Sequence, residues 1–309
     1  MTNTHADRVK EVARLAGRPS RLRRREFLAE GPQAVREALR LHLGMVGYHA
    51  LPADVASKPD VVVEVYATEE ALERHGDIAD LLAEPEAPTL RIATSDVLAA
   101  MSSTVTPQGF VAVCRFVDRT LDEVLAAGPR LVAVLVEVRD PGNAGTIIRA
   151  ADSAGSDAVI LTGASVDPYN PKTVRSTVGS LFHLPLVIGA ELDGLADRLR
   201  GSALAVLAAD GYGSTDLDAL QDASAARRLG STENTPGDTS EGAGAGSPVR
   251  LEDPVAWLFG NEAQGLPADV TLSADARVSV PIYGAAESLN VGTAATVCLY
   301  ASARAQRLS

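Results

Sequence analysis

Apolar runs alternate with helix-forming segments along the second half of the chain. Continuous apolar strands separated by helices are typical of a parallel sheet covered on both faces. The pattern therefore predicts an α/β fold with a parallel sheet over residues 131–309. The last helix, SLNVGTAATVCLYASARAQRL, carries a face of small residues, which suits close packing against the sheet or against another subunit. The runs with the length of buried strands are LVAVLVEV, DAVILTG, LPLVIG, ALAVLAAD, VAWLFG and ARVSVPI.

The first half has a shorter and more varied pattern. Apolar residues at three- and four-residue spacing predict helix over residues 7–43. Two strand-to-helix units follow, VVVEVYATEEALERH with a helix capped at Thr68 and TLRIATSDVLAAMSS, and then a strand, GFVAVCRFV. We therefore predict a small α/β module over residues 1–117 and a partly helical linker over residues 118–130.

One segment interrupts the series of strands and helices in the second half. Residues 222–254 are rich in Gly, Ser, Thr, Asp and Glu, and so cannot bury much apolar surface. We predict a disordered surface insertion there and assign no chemistry to it.

Composition is that of a water-soluble globular protein. Of 309 residues, 46 % are hydrophobic and 22 % are charged, and no apolar run is long enough to span a bilayer. The start of the chain lacks the apolar core of a secretory signal. The two cysteines, Cys114 and Cys298, lie in apolar runs, which predicts buried thiols rather than a disulfide or a metal pair. We expect a cytoplasmic enzyme or binding protein.

Charge leaves the question of a nucleic-acid partner open. The net charge of −12 argues against such a partner. However, RPSRLRRREF (Arg18 to Phe27) is strongly basic, and a local basic face binds phosphates even on an acidic protein. A solvated helix face explains these arginines equally well.

Several familiar sites have no counterpart in the sequence. The turn after the strand LVAVLVEV reads PGNAG and lacks the G-x-G-x-x-G of dinucleotide-binding folds, and no acidic residue ends the next strand. The chain also has no G-K-[ST] phosphate loop, no C-x-x-C or H-E-x-x-H metal motif and no G-x-S-x-G elbow. We therefore predict no bound metal, and a nicotinamide-dependent oxidoreductase is disfavoured.

Three polar stretches follow predicted strands, where parallel sheets bind ligands. They are RDPGNAGTIIRAADSAG, LFGNEAQGL and VPIYGAAESLNVGTAAT. Each alone has a structural explanation, since Asn143 would serve as a helix cap, GNE as a turn and SLN as a second cap. Their joint occurrence in this order favours a single functional site.

Together the three stretches closely resemble the signature motifs of the SpoU (TrmH-like) RNA ribose 2′-O-methyltransferases, within the SPOUT superfamily. The motifs are N-x-G-x-x-x-R at Asn143, Gly145 and Arg149, GNE-x-x-G from Gly260 to Gly265, and P-I-x-G-x-x-E-S-L-N-V from Pro281 to Val291. The first half, with RREFLAEGPQAVREAL and TPQGFVAV, resembles the substrate-binding domain of the ribosomal-RNA members, which is similar to the ribosomal protein L30e fold.

The resemblance implies a SPOUT domain whose parallel sheet is tied in a deep trefoil knot, with a small L30e-like domain before it. It implies S-adenosyl-L-methionine as cofactor, held by the loops 208–211, 258–262 and 282–290, and a homodimer that completes the active site. The residues expected to bind the cofactor are Ala209, Leu258, Gly260, Asn261, Ile282, Ser288 and Leu289. Ribosomal RNA, 23S above all, is the expected substrate. The alternatives are transfer RNA and a catalytically silent RNA-binding relative.

An arginine has a clear use in methyl transfer to a ribose 2′-hydroxyl, which is a poor nucleophile. A planar guanidinium can grip the adjacent phosphate and the hydroxyl oxygen together and stabilise the developing charge. We expect this role of Arg149, with Asn143 and Glu262 beside it and Ser288 and Asn290 lining the pocket. Since a guanidinium does not lose its proton near neutral pH, Glu262 is the rival proton acceptor.

Further arginines are candidate RNA contacts. The stretch PKTVRSTVGSLFHLP resembles the family's K-x-x-R-A-S-x-G segment and makes Arg175 a candidate, although a turn feeding a helix explains it nearly as well. The basic stretch adds Arg23, Arg24 and Arg25.

Overall fold

Two sheets organise the computed structural model, which describes residues 1–48, 60–230, 249–261 and 263–308. The first sheet has four strands in the order β1-β4-β2-β3, with β2 and β3 parallel and the other pairs antiparallel. Its elements are α1 (Asp7–Ala13), α2 (Arg18–Arg24), β1 (Glu26–Glu30), α3 (Pro32–His42), β2 (Val62–Ala67), α4 (Glu69–Arg74), α5 (Gly76–Ala83), β3 (Thr89–Ile92), α6 (Ser95–Met101) and β4 (Phe110–Arg115).

The second sheet has seven strands, all parallel, in the order β7-β6-β5-β10-β8-β11-β9. All six strands predicted for this half are present, so the expected parallel α/β fold is confirmed. Its elements are α7 (Leu121–Ala126), β5 (Leu131–Leu135), α8 (Pro141–Ala154), β6 (Ala158–Thr162), α9 (Pro171–Thr177), β7 (Leu186–Ala190), α10 (Leu195–Gly201), β8 (Ala205–Ala209), β9 (Thr215–Asp216), α11 (Leu217–Arg228), β10 (Val255–Phe259), α12 (Ala268–Ser273), β11 (Ala276–Ser279) and α13 (Val291–Leu308).

The prediction of helix throughout residues 7–43 was wrong at Glu26–Glu30, which form β1. Phe27 and Leu28 are both fully buried, and they belong to different hydrophobic clusters on the two faces of the sheet. A strand buried on both faces shows no alternation of polar and apolar residues, so its pattern cannot be told from that of a short helical segment. Pairing with β4 decides the outcome.

The predicted disordered insertion was also wrong at its edges. Residues 222–228 form the second half of α11, whose N-cap Asp216 accepts a hydrogen bond from the backbone of Ala219. At the other edge Leu251 is fully buried in the main core. Residues 231–248 of the insertion lie outside the described residues.

The predicted cap at Thr68, the helix within residues 118–130 and the two buried thiols are confirmed. Thr68 caps α4, with its side chain accepting from the backbone of Ala71. The linker contains α7, which begins at a capping box formed by Thr120 and Glu123. Cys114 and Cys298 are buried free thiols, and burial raises the pKa of Cys298 to about 12.

The segment between β6 and β7 joins the two sheets. Its Tyr169 is buried and stacks on Phe116, with ring centroids 4.0 Å apart, and against Phe27 at 4.6 Å. Nearby, the buried Arg21 of α2 forms an ion pair with Asp167, with Nη2 2.7 Å from Oδ2. Arg21 also donates to the carbonyl oxygens of two residues in the short 3₁₀ turn between α1 and α2. The basic stretch is therefore partly structural.

We expect Arg21→Ala to lower the free energy of unfolding by about 3 kcal/mol, because it leaves a carboxylate and two carbonyl groups without their buried partner. Urea unfolding at neutral pH measures this. Arg23→Ala is the matched control, since Arg23 is exposed on the same helix and should change stability by less than about 0.5 kcal/mol. Equal losses in the two variants would contradict the structural role of Arg21.

Candidate active site at the carboxyl edge of the parallel sheet

The three polar stretches follow strands that end at the same edge of the second sheet. β10 lies between β5 and β8, and β11 pairs with β8, all parallel. The carboxyl ends of these strands therefore point the same way, and the loops after them meet there. Loops 136–140, 260–267, 210–214 and 280–290 are the segments so placed.

Helix α8 carries the first stretch and begins at Asp140, not at Asn143. The Asp140 carboxylate accepts from the Asn143 backbone N–H at 2.9 Å, and Lys172 lies 3.5 Å away. The hydrogen bond from Asn143, followed by the charge of Lys172, lowers the pKa of Asp140. Because Asp140 caps the helix, the Asn143 side chain is left for another partner.

That partner is Asn290, at the end of the third stretch. Its Nδ2 donates to the Asn143 Oδ1 at 3.0 Å. The Asn290 Oδ1 also accepts from the backbone of Gly292 and Thr293, so the residue caps α13 as the structural explanation required. One side chain thus starts a helix and joins two motifs that are 147 residues apart.

Two glycines of the first and third stretches mark places where helices touch with no room for a side chain. A Cβ at Gly145 of α8 would lie 2.4 Å from the Ser176 Cβ of α9. A Cβ at Gly292 of α13 would lie 2.8 Å from the Thr146 Cγ2 of α8. Helix α8 is therefore fixed from two sides by close packing, and Arg149 projects from it with an exposed side chain.

The second stretch forms a closed turn after β10. Asn261 and Gly265 exchange backbone hydrogen bonds, and the Asn261 side chain accepts from the backbone of Ala263 at 2.8 Å. A Cβ at the buried Gly260 would lie 2.4 Å from the carbonyl carbon of Gly265, so only glycine fits. Glu262, the other predicted catalytic residue of this stretch, lies outside the described residues.

The remaining predicted cofactor-binding residues fall into two groups. Ala209 and Leu258 lie at or next to strand ends, with Leu258 buried. Ile282, Ser288 and Leu289 are exposed on the irregular loop before α13. The structure thus brings Asn143 and Asn290 into contact and places the others on the converging loops. Among the described residues it gives Arg149 no ion pair.

The predicted RNA-binding arginines differ in what holds them. Arg24 pairs with Glu26 at 2.8 Å, and Arg25 pairs with Asp118 at 3.1 Å and lies over the Phe116 ring. Arg23 is exposed, with no ion pair to a described residue.

Arg175 is held by the first sheet. It donates to Glu30 at 3.1 Å and to the Ser103 hydroxyl at 2.6 Å. Glu30 is a buried carboxylate at the end of β1, and the prediction missed its role because β1 itself was missed.

Two classes of site find no support in the part of the chain that the structure describes. No cluster of three or more His, Cys, Asp or Glu side chains there could hold a metal ion. None of the helices described is both long and apolar enough to cross a membrane.

The sheet and its converging loops define an α/β protein with a candidate ligand site at the carboxyl ends of parallel strands. The family model described as SpoU rRNA Methylase family matches residues 130–300, and one described as RNA 2'-O ribose methyltransferase substrate binding matches residues 45–120. The chain belongs to the SpoU rRNA methylase family, and the resemblance expected from the motifs is confirmed.

Relatives and solved structures agree with this membership. The chain is 31 % identical over 293 residues to the Bacillus subtilis 23S rRNA (guanosine(2553)-2'-O)-methyltransferase RlmP, covering 95 % of this chain and 94 % of that protein. It is 32 % identical over 208 residues to a Streptomyces viridochromogenes 23S rRNA (uridine(2479)-2'-O)-methyltransferase, covering 66 % and 62 % of the two chains.

The crystal structure of an AdoMet-bound rRNA methyltransferase from Sinorhizobium meliloti superposes with a TM-score of 0.72 at 25 % identity, covering 98 % of this chain and 97 % of that one. The SpoU methyltransferase AviRb from Streptomyces viridochromogenes, in complex with AdoMet, gives a TM-score of 0.70 at 26 % identity, covering 99 % of each chain.

We expect Gly145→Ala to destabilise the protein by about 2 kcal/mol, because the added Cβ forces α8 away from α9 in a packed interior. Thermal or urea unfolding measures the loss. Gly201→Ala is the control, since its Cβ would meet nothing within 4 Å. The double variant Gly145→Ala/Ser176→Gly should recover part of the stability, and a loss unchanged by Ser176→Gly would contradict this steric cause.

Proposed function

We propose that this chain is an S-adenosylmethionine-dependent RNA 2′-O-ribose methyltransferase that acts on 23S ribosomal RNA. The observation that carries the proposal is the contact of Asn143 with Asn290, which joins two signature motifs at the edge where a third converges. Relatives named as 23S rRNA 2′-O-methyltransferases support the substrate class.

The loops at this edge fit S-adenosylmethionine. Ile282 and Leu289 are 39 % and 38 % exposed on the loop before α13, and these apolar side chains suit one face of an adenine ring. Ala209, Leu258, Gly260, Asn261 and Ser288 supply backbone and polar groups from the neighbouring strand ends and loops. The bound cofactor supplies a methyl group already activated by the positive charge of its sulfonium.

The chain's task is then to orient and activate the ribose hydroxyl. Arg149 lies exposed on α8, whose position is fixed by close packing at Gly145 and Gly292. Its guanidinium holds the hydroxyl oxygen and the neighbouring phosphate, and stabilises the alkoxide that develops as the proton leaves. The hydrogen bond between Asn143 and Asn290 fixes one side of the pocket next to Arg149. Ser288 lines the pocket from the loop that precedes α13. Glu262 remains our candidate for accepting the proton.

A knotted chain and a homodimer complete the proposal. The order of the sheet supports a trefoil knot, because β10 enters between β5 and β8, which precede it, and α13 then packs back on α8. Val297 and Tyr300 of α13 are 38 % and 49 % exposed, which suits a second subunit on that helix. We propose an RNA-binding domain that ends at residue 117, a linker over 118–130 and a catalytic domain over 131–309. We also propose that the protein acts in the cytoplasm.

We expect Arg149→Ala to lower kcat by about 100- to 1,000-fold, because it removes the group that stabilises the developing charge. S-adenosylmethionine affinity, measured by calorimetry, should change by less than about threefold. Arg149→Lys should recover little, since an ammonium lacks the planar fork. Arg198→Ala, on α10 and outside the predicted site residues, is the control.

Activity is read by mapping 2′-O-methyl groups on ribosomal and transfer RNA from cells with and without the chain, complemented by each variant. Loss of one ribosomal modification, restored by wild type and by Arg198→Ala but not by Arg149→Ala, is the expected result. Modification of transfer RNA alone would overturn the substrate, and unchanged RNA in all strains would favour a silent RNA-binding protein.

We expect Arg23→Ala to weaken RNA binding and to reduce the slope of log affinity against log salt by about 1, as for one lost phosphate contact. Arg24→Ala should have a smaller effect, because Arg24 already pairs with Glu26. Filter binding between about 50 and 200 mM salt measures both. Unchanged slopes in both variants would place the RNA elsewhere.

A further inference from the structure

His183 lies between two carboxylates that come from the two halves of the chain. Its Nδ1 is 2.8 Å from the Asp152 Oδ2, and its Nε2 is 3.0 Å from the Glu37 Oε2. An ionised carboxylate only accepts hydrogen bonds, so both ring nitrogens must donate. An imidazole that donates from both nitrogens is an imidazolium, so His183 between two ionised carboxylates carries a positive charge.

The positions of the two carboxylates give this cation its importance. Asp152 belongs to α8, three residues after Arg149 and thus nearly one helical turn away. Glu37 belongs to α3, which packs on the first sheet. The side chains of Glu37, Asp152 and His183 are 14 %, 25 % and 29 % exposed, so water screens the three charges only in part. One residue thus links the arginine-bearing helix to the predicted RNA-binding module.

The backbone before His183 is shaped to make this contact. Val178 and Gly179 both have left-handed φ, at 53° and 98°. A Cβ at Gly179 would lie 2.7 Å from the Glu37 Cγ, so the chain passes directly against α3. A β-branched residue at positive φ is unfavourable and persists only where the surrounding packing requires it.

We propose that His183, as an imidazolium, is a positioning residue that holds α8 against α3, so that RNA bound by the N-terminal module reaches Arg149 in a fixed geometry. This inference rests on the proposed function. While this contact is made, the N-terminal module is docked and is part of a preformed RNA surface. When the contact is lost, RNA binding must also order the module, and the affinity for RNA falls.

The charge on His183 disappears only at alkaline pH. Hydrogen bonds first to Asp152 and then to Glu37 raise the pKa of His183 to about 9. Helix α3 also supplies Arg36 and Arg40, which together with His183 lower the pKa of Glu37 and keep it ionised. Because the pKa of His183 is raised on folding, its contribution is complete below about pH 6.5 and is lost as the pH rises through about 9.

The test compares wild type with His183→Gln and His183→Arg, measuring kcat and KM for the same RNA between pH 7 and 10. For wild type we expect KM to rise about tenfold across this range, the loss of one charge-assisted contact, with kcat and S-adenosylmethionine affinity within about twofold. His183→Gln should show the raised KM already at pH 7. His183→Arg keeps a cation and should lack the alkaline rise, after correction for the titration of the RNA, which all three proteins share.

A KM of His183→Gln equal to that of wild type at pH 7, or an alkaline rise in His183→Arg as large as in wild type, overturns the proposal. Amide hydrogen exchange in α3 and α8 gives a second measurement that needs no activity. Exchange should increase above pH 9 in wild type, beyond the intrinsic effect of pH, and not in His183→Arg. If methylation is never observed but this difference in exchange is, the proposed function is wrong, and the role of His183 in holding α8 against α3 is still supported.

Discussion

The close packing of α8 is the constraint on which the rest of the site depends. Helix α9 touches it at Gly145, and α13 touches it through Gly292, in both cases with less room than a methyl group needs. A packed interior transmits a small displacement instead of absorbing it. The direction of Arg149 is therefore set by the two neighbouring helices and the sheet below, and its side chain forms no hydrogen bond with a described residue.

The same helix receives the two motifs that lie farthest apart in sequence. Asn143 meets Asn290 through its side chain, while Asp140 caps α8. Asn290 can reach Asn143 because it stands at the start of α13, where its own carbonyl oxygen caps that helix. Asn290 thus has a structural role as the cap of α13, and the same side chain contacts Asn143. Structural and functional explanations of these residues are complementary.

Most of the fold could be predicted because its strands are strongly patterned. All six long strands of the parallel sheet, the linker helix and the cap at Thr68 follow from local sequence. The strand β1 could not be predicted, because burial on both faces removes the alternation that distinguishes strand from helix. The second half of α11 was missed because the composition of residues 222–254 was considered as a whole, although the first residues of this segment continue the helix.

The site was predictable as a set of motifs and not as a geometry. The resemblance to the family implied that Asn143, Arg149 and Asn290 work together, but the hydrogen bond between the two asparagines depends on the order of strands in the sheet. Glu30 and His183 had no signal in the sequence, since each has a partner more than a hundred residues away. Long-range ion pairs of this kind are set by tertiary packing, which a single sequence does not display.

An acidic protein that binds RNA must separate its structural arginines from its binding arginines. Arg21 and Arg175 are paired with Asp167 and Glu30 between the two halves of the chain, where they hold the molecule together. Arg23 and Arg149 are exposed and form no ion pair with a described residue. With a net charge of −12, long-range attraction to RNA is weak. Affinity for RNA must then come from a few correctly placed cations on a rigid surface. The ion pairs between the two halves of the chain hold that surface in place, and they are therefore as important for RNA binding as the pocket itself.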